Sequence, residues 1–275
     1  MNARVAVLSL LCWTGCSNNS STTDDAGAGD MAAPTPDMAT SNGCAYRYCE
    51  DFESYGGAIA NAQSLGPWTA TVSASATDMG SSMVTANVDS INPSHGSKSL
   101  HITVTKGPGA RATLNQKATG GLIPGNNMYG RAMVYYSNMK GNDLPLGVHS
   151  WVFNSNGPAA SDGGVGTASM NMGGGGNKLQ LNYHPPTGGE SSVQGGMMTA
   201  GAWHCVQWQY DGANNTADVR IDGTPAVAVA ASKGWELALP WDSFDFGFTH
   251  YQLLNNSVEI FLDDFALDSS MVPCP

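Results

Sequence analysis

The sequence predicts an all-β protein built as a two-sheet antiparallel β-sandwich, and three observations support this. Charged residues make up only 12% of the 275 residues, whereas glycine contributes 34. Apolar and polar residues alternate with period two in several segments, and turn-forming residues separate these segments. No segment carries a convincing helical pattern of apolar residues. Low charge with abundant glycine is typical of short strands joined by tight turns, not of long salt-bridged helices.

The alternation is clearest at residues 100–104 and 258–262. Val219 and Ile221 lead into Asp222-Gly223, a dipeptide typical of a type I′ hairpin turn. About ten strands with long loops fit a sandwich. Five further strands are predicted at residues 128–136, 149–153, 178–183, 203–210 and 244–253.

The first 43 residues differ in character from the rest. Residues 1–15, with Arg4 before a short apolar run, predict a lipoprotein signal peptide. The following Cys16 ends a Trp-Thr-Gly-Cys motif that resembles the lipobox of bacterial lipoproteins, although leucine is more usual than Trp13. Lipidation of Cys16 is favoured; the alternative is ordinary signal cleavage with Cys16 left as a free thiol. Residues 16–43 are polar and lack aromatic side chains, which predicts a disordered surface linker.

Residues 44–275 are therefore expected to form one domain. A lipid anchor at its amino end would hold it at the cell surface or outer membrane of a bacterium, with no other membrane contact. The formal net charge is −11 and basic residues do not cluster, which argues against a nucleic-acid partner. We expect a monomer.

Four cysteines remain in the domain: Cys44, Cys49, Cys205 and Cys274. In an exported protein they predict two disulfides, for which three pairings are possible. A zinc site is the less favoured alternative, because only Cys44 and Cys49 are close and no Cys-x-x-Cys occurs.

An ordered set of short motifs resembles a known family. They are Asp51-Phe52-Glu53-Ser54, residues 94–100, Tyr129-Gly130-Arg131-Ala132, residues 201–205, residues 217–223 and residues 261–265. In order and spacing, over residues 44–275, the set resembles the Cip-one-like core domain of fungal cellulase-induced proteins. That domain belongs to the jelly-roll group of concanavalin A-like lectins, glucanases and polysaccharide lyases. The resemblance implies a concanavalin A-like jelly roll in which Cys205 pairs with Cys274. Cys44 is then expected to pair with Cys49.

The resemblance also implies a structural calcium ion that ties the first strand to the last. Its ligands would be the carboxylates of Glu53 and Asp264 and the backbone oxygens of His95 and Lys98. Hard carboxylate and carbonyl oxygens are the ligands that calcium prefers. Strand alternation would place Asp263 and Asp264 on opposite faces, and Lys98 would have to point away from the ion. The alternative is a solvated strand end without metal.

Jelly rolls of this group bind sugars on their concave sheet, so polar and aromatic residues on shared strand faces are candidates for carbohydrate binding. An ordinary solvent-exposed sheet face would give the same pattern. The candidates are Trp151, which shares a face with His149, and Gln180, Asn182, His184 and Gln207.

A polysaccharide lyase needs a base, an acid and a group that neutralises the uronate carboxylate. By motif position, His149 would be the base and Tyr251 the acid. Gln180 lies where related lyases place an arginine, which leaves Arg131 as the remaining cationic candidate. Hydrolase chemistry is not supported, since the Glu-x-Asp-x-Glu run of glucanases and the Gly-x-Ser-x-Gly motif are absent.

Three functions follow, in order of preference. The first is a surface-anchored carbohydrate-binding lipoprotein, non-catalytic or weakly active on polysaccharide. The second is a polysaccharide lyase that cleaves a glucuronan-like polymer by β-elimination. The third is a surface adhesion or structural protein without a sugar ligand.

Overall fold

The computed structural model describes residues 44–74, 83–105, 107, 109–117, 123, 127–137, 150–159, 167–175, 178–238, 240–251 and 257–275. The predicted signal peptide and linker, with Cys16, lie outside these residues, as does His149. The described ranges contain seventeen strands and one short 3-10 helix at Ala231–Lys233. Within them, no helix is long and apolar enough to cross a membrane.

In chain order the strands are β1 (Tyr48–Glu50), β2 (Gly57–Ala58), β3 (Ser64–Leu65), β4 (Trp68–Ala74), β5 (Val84–Asp89), β6 (Ser99–Val104), β7 (Ala110–Lys117), β8 (Asn127–Tyr136), β9 (Ser150–Ala159), β10 (Thr167–Gly175), β11 (Lys178–His184), β12 (Ser191–Gly195), β13 (Trp203–Asp211), β14 (Thr216–Ile221), β15 (Thr224–Val229), β16 (Ser243–His250) and β17 (Val258–Asp268).

The strands form two antiparallel sheets, which confirms the predicted sandwich. The nine-stranded sheet has the order β15-β14-β13-β8-β17-β6-β5-β2, with β1 paired to the end of β17. The eight-stranded sheet has the order β12-β11-β10-β9-β16-β7-β4-β3. Several neighbours, such as β8 and β17 or β7 and β16, are distant in sequence, so the sheets bring together side chains from remote segments.

Aromatic side chains fill the core between the sheets. Phe246 of the eight-stranded sheet stacks on Phe265 of the other, with ring centroids 4.5 Å apart. Phe153 stacks on Trp208 at 4.6 Å. Gly130 pairs with Trp208 across β8 and β13, and a side chain there would overlap the indole ring. These contacts orient the alternate residues of β9 and β16 outward, where the candidate site lies.

The structure confirms the predicted strands around residues 100, 128, 203 and 258 and the hairpin turn. Asp222 and Gly223 have φ values of 51° and 74°, as a type I′ turn requires. The sequence did not predict β10, whose glycine-rich end suggests a loop. Residue 173 of β10 is a glycine because any side chain there would collide with the backbone of Ser150 and Trp151.

Candidate functional site

Outward-facing residues of the eight-stranded sheet form two adjoining rows, which we call the polar face. Strand register places the members of each row side by side. The first row is Asn115, Asp245, Asn154 and Asn182. The second row is Arg111, Thr249, Trp151, Gly173, Gln180 and Gln194.

Asp245 is the centre of the first row and is only 2% exposed. Its Oδ1 accepts hydrogen bonds from Asn115 Nδ2 at 2.9 Å and from Arg111 Nη2 at 3.2 Å. Its Oδ2 accepts from Asn154 Nδ2 and Asn156 Nδ2, each at 3.2 Å. A buried carboxylate is stable only when it is paired in this way. The network therefore fixes four polar side chains on one surface.

Sequence reasoning did not identify Asp245 as a site residue. The signal was present in β16, where an aspartate stands between Phe244 and Phe246. With both phenylalanines in the core, alternation directs the aspartate to the other face of the sheet. Its partner Arg111 was missed for a different reason, since that arginine comes from β7 and meets β16 only through sheet pairing.

Trp151 lies at the centre of the second row beneath two more exposed side chains. Its Nε1 donates to Tyr251 Oη at 2.8 Å, and the Arg111 guanidinium carbon lies 5.5 Å from its ring centroid. Trp151 is 3% exposed, whereas Tyr251 is 57% exposed. Trp151 therefore supports the surface from below, and Tyr251 and Arg111 are the more exposed groups above it. A sugar ring would meet Tyr251 before the indole on which we expected it to stack.

The other predicted polar residues complete the polar face towards β12. Gln180 Oε1 accepts from Gln194 Nε2 at 2.7 Å. Asn182 Nδ2 donates to Glu190 Oε1 at 2.8 Å and lies 3.2 Å from His184 Nε2. The structure thus places Gln180, Asn182 and His184 on the same sheet face as Trp151.

Two buried polar atoms of the polar face have no hydrogen-bond partner among the described residues. They are Asn154 Oδ1 and Thr249 Oγ1. Buried polar atoms are nearly always paired, so unpaired ones on an outward face are candidates to bind water or a ligand. A carbonyl oxygen accepts a hydrogen bond from a hydroxyl, and a threonine hydroxyl can donate or accept one.

Gln207 and Arg131 belong to the nine-stranded sheet and do not join the polar face. Gln207 Nε2 donates to Val272 O at 2.8 Å. Arg131 is fully buried; its Nε donates to Asp264 O at 3.3 Å and its Nη1 to Pro273 O. Burial lowers the pKa of Arg131. Arg131 therefore fixes the carboxyl-terminal segment and cannot neutralise a ligand on the opposite sheet.

The expected calcium ligands do converge on one loop, residues 94–98. Glu53 Oε1 accepts from the backbone N–H groups of Ser97 and Lys98, at 2.7 and 2.9 Å. Glu53 Oε2 accepts from Ser97 Oγ at 2.6 Å. Burial acts to raise the pKa of Glu53, but these hydrogen bonds and the charge of Lys98 outweigh it and lower the pKa below its usual value. Asp264 reaches the same loop through His95.

A bulge in β17 brings both aspartates to the loop, contrary to the expectation that they would lie on opposite faces. The register shifts between Asp263 and Ala266, and Asp264 has a φ of 48°. Asp263 Oδ2 accepts from Ser94 N at 2.9 Å, and Asp264 Oδ2 bonds to His95 Nδ1. Burial, followed by the charge of Asp264, raises the pKa of Asp263 to about 8.

Lys98 points inward to the turn after β1. Its Nζ donates to Glu53 O at 2.9 Å and to Tyr55 O at 2.6 Å. Hydrogen-bond donors thus engage the carboxylates of Glu53 and Asp264, and an ammonium group already lies beside the turn. These residues do not fit a calcium ion, which needs six to eight oxygen ligands. Nor do three or more His, Cys, Asp or Glu side chains cluster as a metal site anywhere in the described ranges.

The cysteines pair as expected. Cys44 is bonded to Cys49, and Cys205 to Cys274. The second disulfide joins β13 to the carboxyl-terminal segment that also contacts Arg131 and Gln207. With all four cysteines in disulfides, the alternative of a cysteine zinc site is excluded.

Comparisons with known proteins show which fold this is. No protein-family model and no curated protein sequence matches the chain. Among solved structures, the "Cellulose induced protein, Cip1" matches with a TM-score of 0.56 and 16% identity, over 83% of this chain and 100% of that one. The endo-β-1,4-glucuronan lyase from the fungus Trichoderma reesei matches with a TM-score of 0.52 and 15% identity, over 79% of this chain and 95% of that one. The chain therefore has the Cip-one-like jelly-roll fold.

Proposed function

We propose that the polar face of the eight-stranded sheet binds a polysaccharide chain. The observation that carries the proposal is the buried network around Asp245, which lies on the outward side of a sheet and not in its core. Polar groups on the outer side of a sheet can form their hydrogen bonds with water, so stability does not require them to bond to one another. A network that is fixed and excluded from water there suits recognition of a ligand more than stability.

The chemistry of the polar face matches that of sugars. Pyranose hydroxyls need amide and hydroxyl partners, which Asn154, Thr249 and Gln194 supply. Their C–H faces need an aromatic surface, which the exposed ring of Tyr251 supplies. The likeness to a glucuronan lyase supports a polysaccharide ligand through the fold alone.

A glycan array followed by calorimetric titration of the best glycan tests the proposal. Tyr251→Ala should weaken binding about tenfold, which corresponds to about 1.4 kcal/mol. Gln207→Ala on the opposite sheet is the matched control and should leave the affinity unchanged. If no glycan binds, the polar face has no sugar ligand and the third function, a surface adhesion or structural role, gains support.

A lyase reaction is the second candidate, and Arg111 is the observation that favours it. A lyase needs a cation beside its acid and base, and Arg111 lies over the same Trp151 ring whose Nε1 bonds to Tyr251. Arg111 would neutralise a uronate carboxylate in place of Arg131, and Tyr251 would protonate the leaving oxygen. His149, the proposed base, lies outside the described residues.

Incubation with a panel of polyuronates, glucuronan included, tests the lyase reaction through the ultraviolet absorbance of unsaturated products. Arg111→Ala should abolish that signal, and Arg111→Lys should retain part of it because the charge is kept. Binding of a polyuronate without any unsaturated product would restrict the protein to carbohydrate binding.

We further propose that a lipid on Cys16 holds the domain at the bacterial surface. Residues 13–16 and the polar segment that follows support the anchor. Mass spectrometry of the membrane-associated protein should detect a diacylglyceryl group on Cys16. Cys16→Ser should release the protein from the membrane fraction, and unchanged fractionation of this variant would argue against the anchor.

A further inference from the structure

We infer that Lys98 serves as a built-in cation at the junction of the first turn, the loop at residues 94–98 and the last strand, so that this protein needs no calcium there. The inference concerns the residues at which the resemblance implies a metal. It is independent of what the polar face binds.

The ammonium group of Lys98 satisfies the carbonyl oxygens of the turn after β1. Its Nζ lies 2.9 Å from Glu53 O and 2.6 Å from Tyr55 O. An ammonium is a compact charge with three donors and no acceptor, so it can bridge two carbonyl groups as a small cation does. The backbone N–H of the same lysine donates to Glu53 Oε1 at 2.9 Å. Lys98 therefore ties the loop to the turn at both its main chain and its side chain.

The carboxylates that would bind calcium are also engaged by protein donors. Glu53 accepts three hydrogen bonds from Ser97 and Lys98. The loop lies so close that a side chain at Gly96 would overlap Glu53 Oε1. Asp264 bonds to the imidazole of His95. A metal ion would have to displace these donors and would then face the like charge of the ammonium group.

The two acidic residues thus have local counterparts, Lys98 for Glu53 and His95 for Asp264. Together they join the amino-terminal turn to the bulge of β17 through one five-residue loop. This arrangement supplies the cross-link that the resemblance assigns to calcium. We therefore expect that a calcium chelator does not destabilise the fold.

Thermal unfolding of the EDTA-dialysed protein, with and without calcium at about 10 mM, tests the inference. Extracellular calcium modules have dissociation constants of about 0.1–1 mM, so a site of this kind would be largely saturated. A site saturated 100-fold above its dissociation constant would raise the Tm by about 5–10 °C. We expect no shift in the Tm when calcium is added. We also expect elemental analysis of the protein before EDTA dialysis to find no stoichiometric calcium.

Lys98→Met tests the role of the ammonium group itself. Loss of two charge-assisted hydrogen bonds should lower the Tm by about 3–10 °C. Lys233→Met is the matched control, because Lys233 is exposed on the 3-10 helix and should leave the Tm unchanged. A calcium-dependent rise in the Tm of the unmutated protein overturns the inference, as does a Lys98→Met variant with an unchanged Tm. If Lys98→Met does not fold, the calcium titration of the unmutated protein still decides.

Discussion

Both sheets carry well-packed side chains on their outer faces, but these are aromatic on the nine-stranded sheet and polar on the eight-stranded sheet. On the nine-stranded sheet, four rings follow one another across adjacent strands: His101, Phe261, Tyr135 and Trp203. Their centroids are 4.2, 5.6 and 5.7 Å apart, and Phe261 is only 3% exposed. On the eight-stranded sheet the equally buried group is the carboxylate of Asp245, held by amides and a guanidinium.

Burial on an outer face therefore does not identify a functional site by itself. Ring-to-ring contact in the aromatic row stabilises the fold without leaving much to bind. The polar face is held by hydrogen bonds and still leaves Asn154 Oδ1 and Thr249 Oγ1 unpaired in the described structure. Mutations in the aromatic row of the nine-stranded sheet should change stability alone. Mutations on the polar face of the eight-stranded sheet should change stability and binding together.

Phe261→Ala should give the largest loss of stability. Truncation of a buried phenylalanine lowers the free energy of unfolding by about 3–5 kcal/mol, because it leaves a cavity. Denaturant unfolding measures this loss, and calorimetry should find an unchanged glycan affinity. A parallel loss of affinity would break the distinction between the two faces.

Asp245→Ala should have the next largest effect. It leaves four donors without their acceptor and should lower the free energy of unfolding by about 2–4 kcal/mol. Glycan affinity should fall at least tenfold, since the amides lose their fixed positions. The matched control is Asp218→Ala on the nine-stranded sheet, where a half-exposed pair with Arg220 contributes about 0–1 kcal/mol.

Glu50, a buried carboxylate between the sheets, should make the stability of the protein depend on pH. Glu50 accepts from Phe52 N and from Trp68 Nε1, each at 2.9 Å. Burial raises the pKa of Glu50 to about 7. The native state therefore binds more protons than the unfolded state between about pH 4.5 and 7, so the free energy of unfolding should fall as the pH rises through this range.

The fall attributable to Glu50 should be at most about 3 kcal/mol. Denaturant unfolding at intervals from pH 4.5 to 8 measures it. Glu50→Gln should reduce the slope without removing it, because Asp263, whose pKa is raised to about 8, titrates over the same range. A free energy of unfolding that rises across this range would contradict the assignment.

Tyr251→Phe should have the smallest effect. The change keeps the exposed ring but removes the hydroxyl that accepts from Trp151 Nε1, so stability should fall by about 1 kcal/mol. Glycan affinity should change less than in Tyr251→Ala, because the aromatic surface remains. A complete loss of lyase product with retained binding would instead identify the hydroxyl as the acid.

The sequence was informative wherever the determining interactions are local. Period-two alternation located β6, β14 and β17, and Asp222-Gly223 located a hairpin turn. The fold class followed from such signals. The short strands β1 to β3 were not predicted, because two or three residues are too few to show a period.

Tertiary structure alone decided which polar side chains meet. Motif position selected Arg131, but sheet pairing buried it beneath the carboxyl-terminal segment and brought Arg111 to Trp151 instead. Register between strands that are distant in sequence, such as β7 and β16, has no local signature. A bulge reverses the face of every residue after it, which is why Asp263 and Asp264 reach one loop. Local pattern determined the sandwich, and long-range register determined its site.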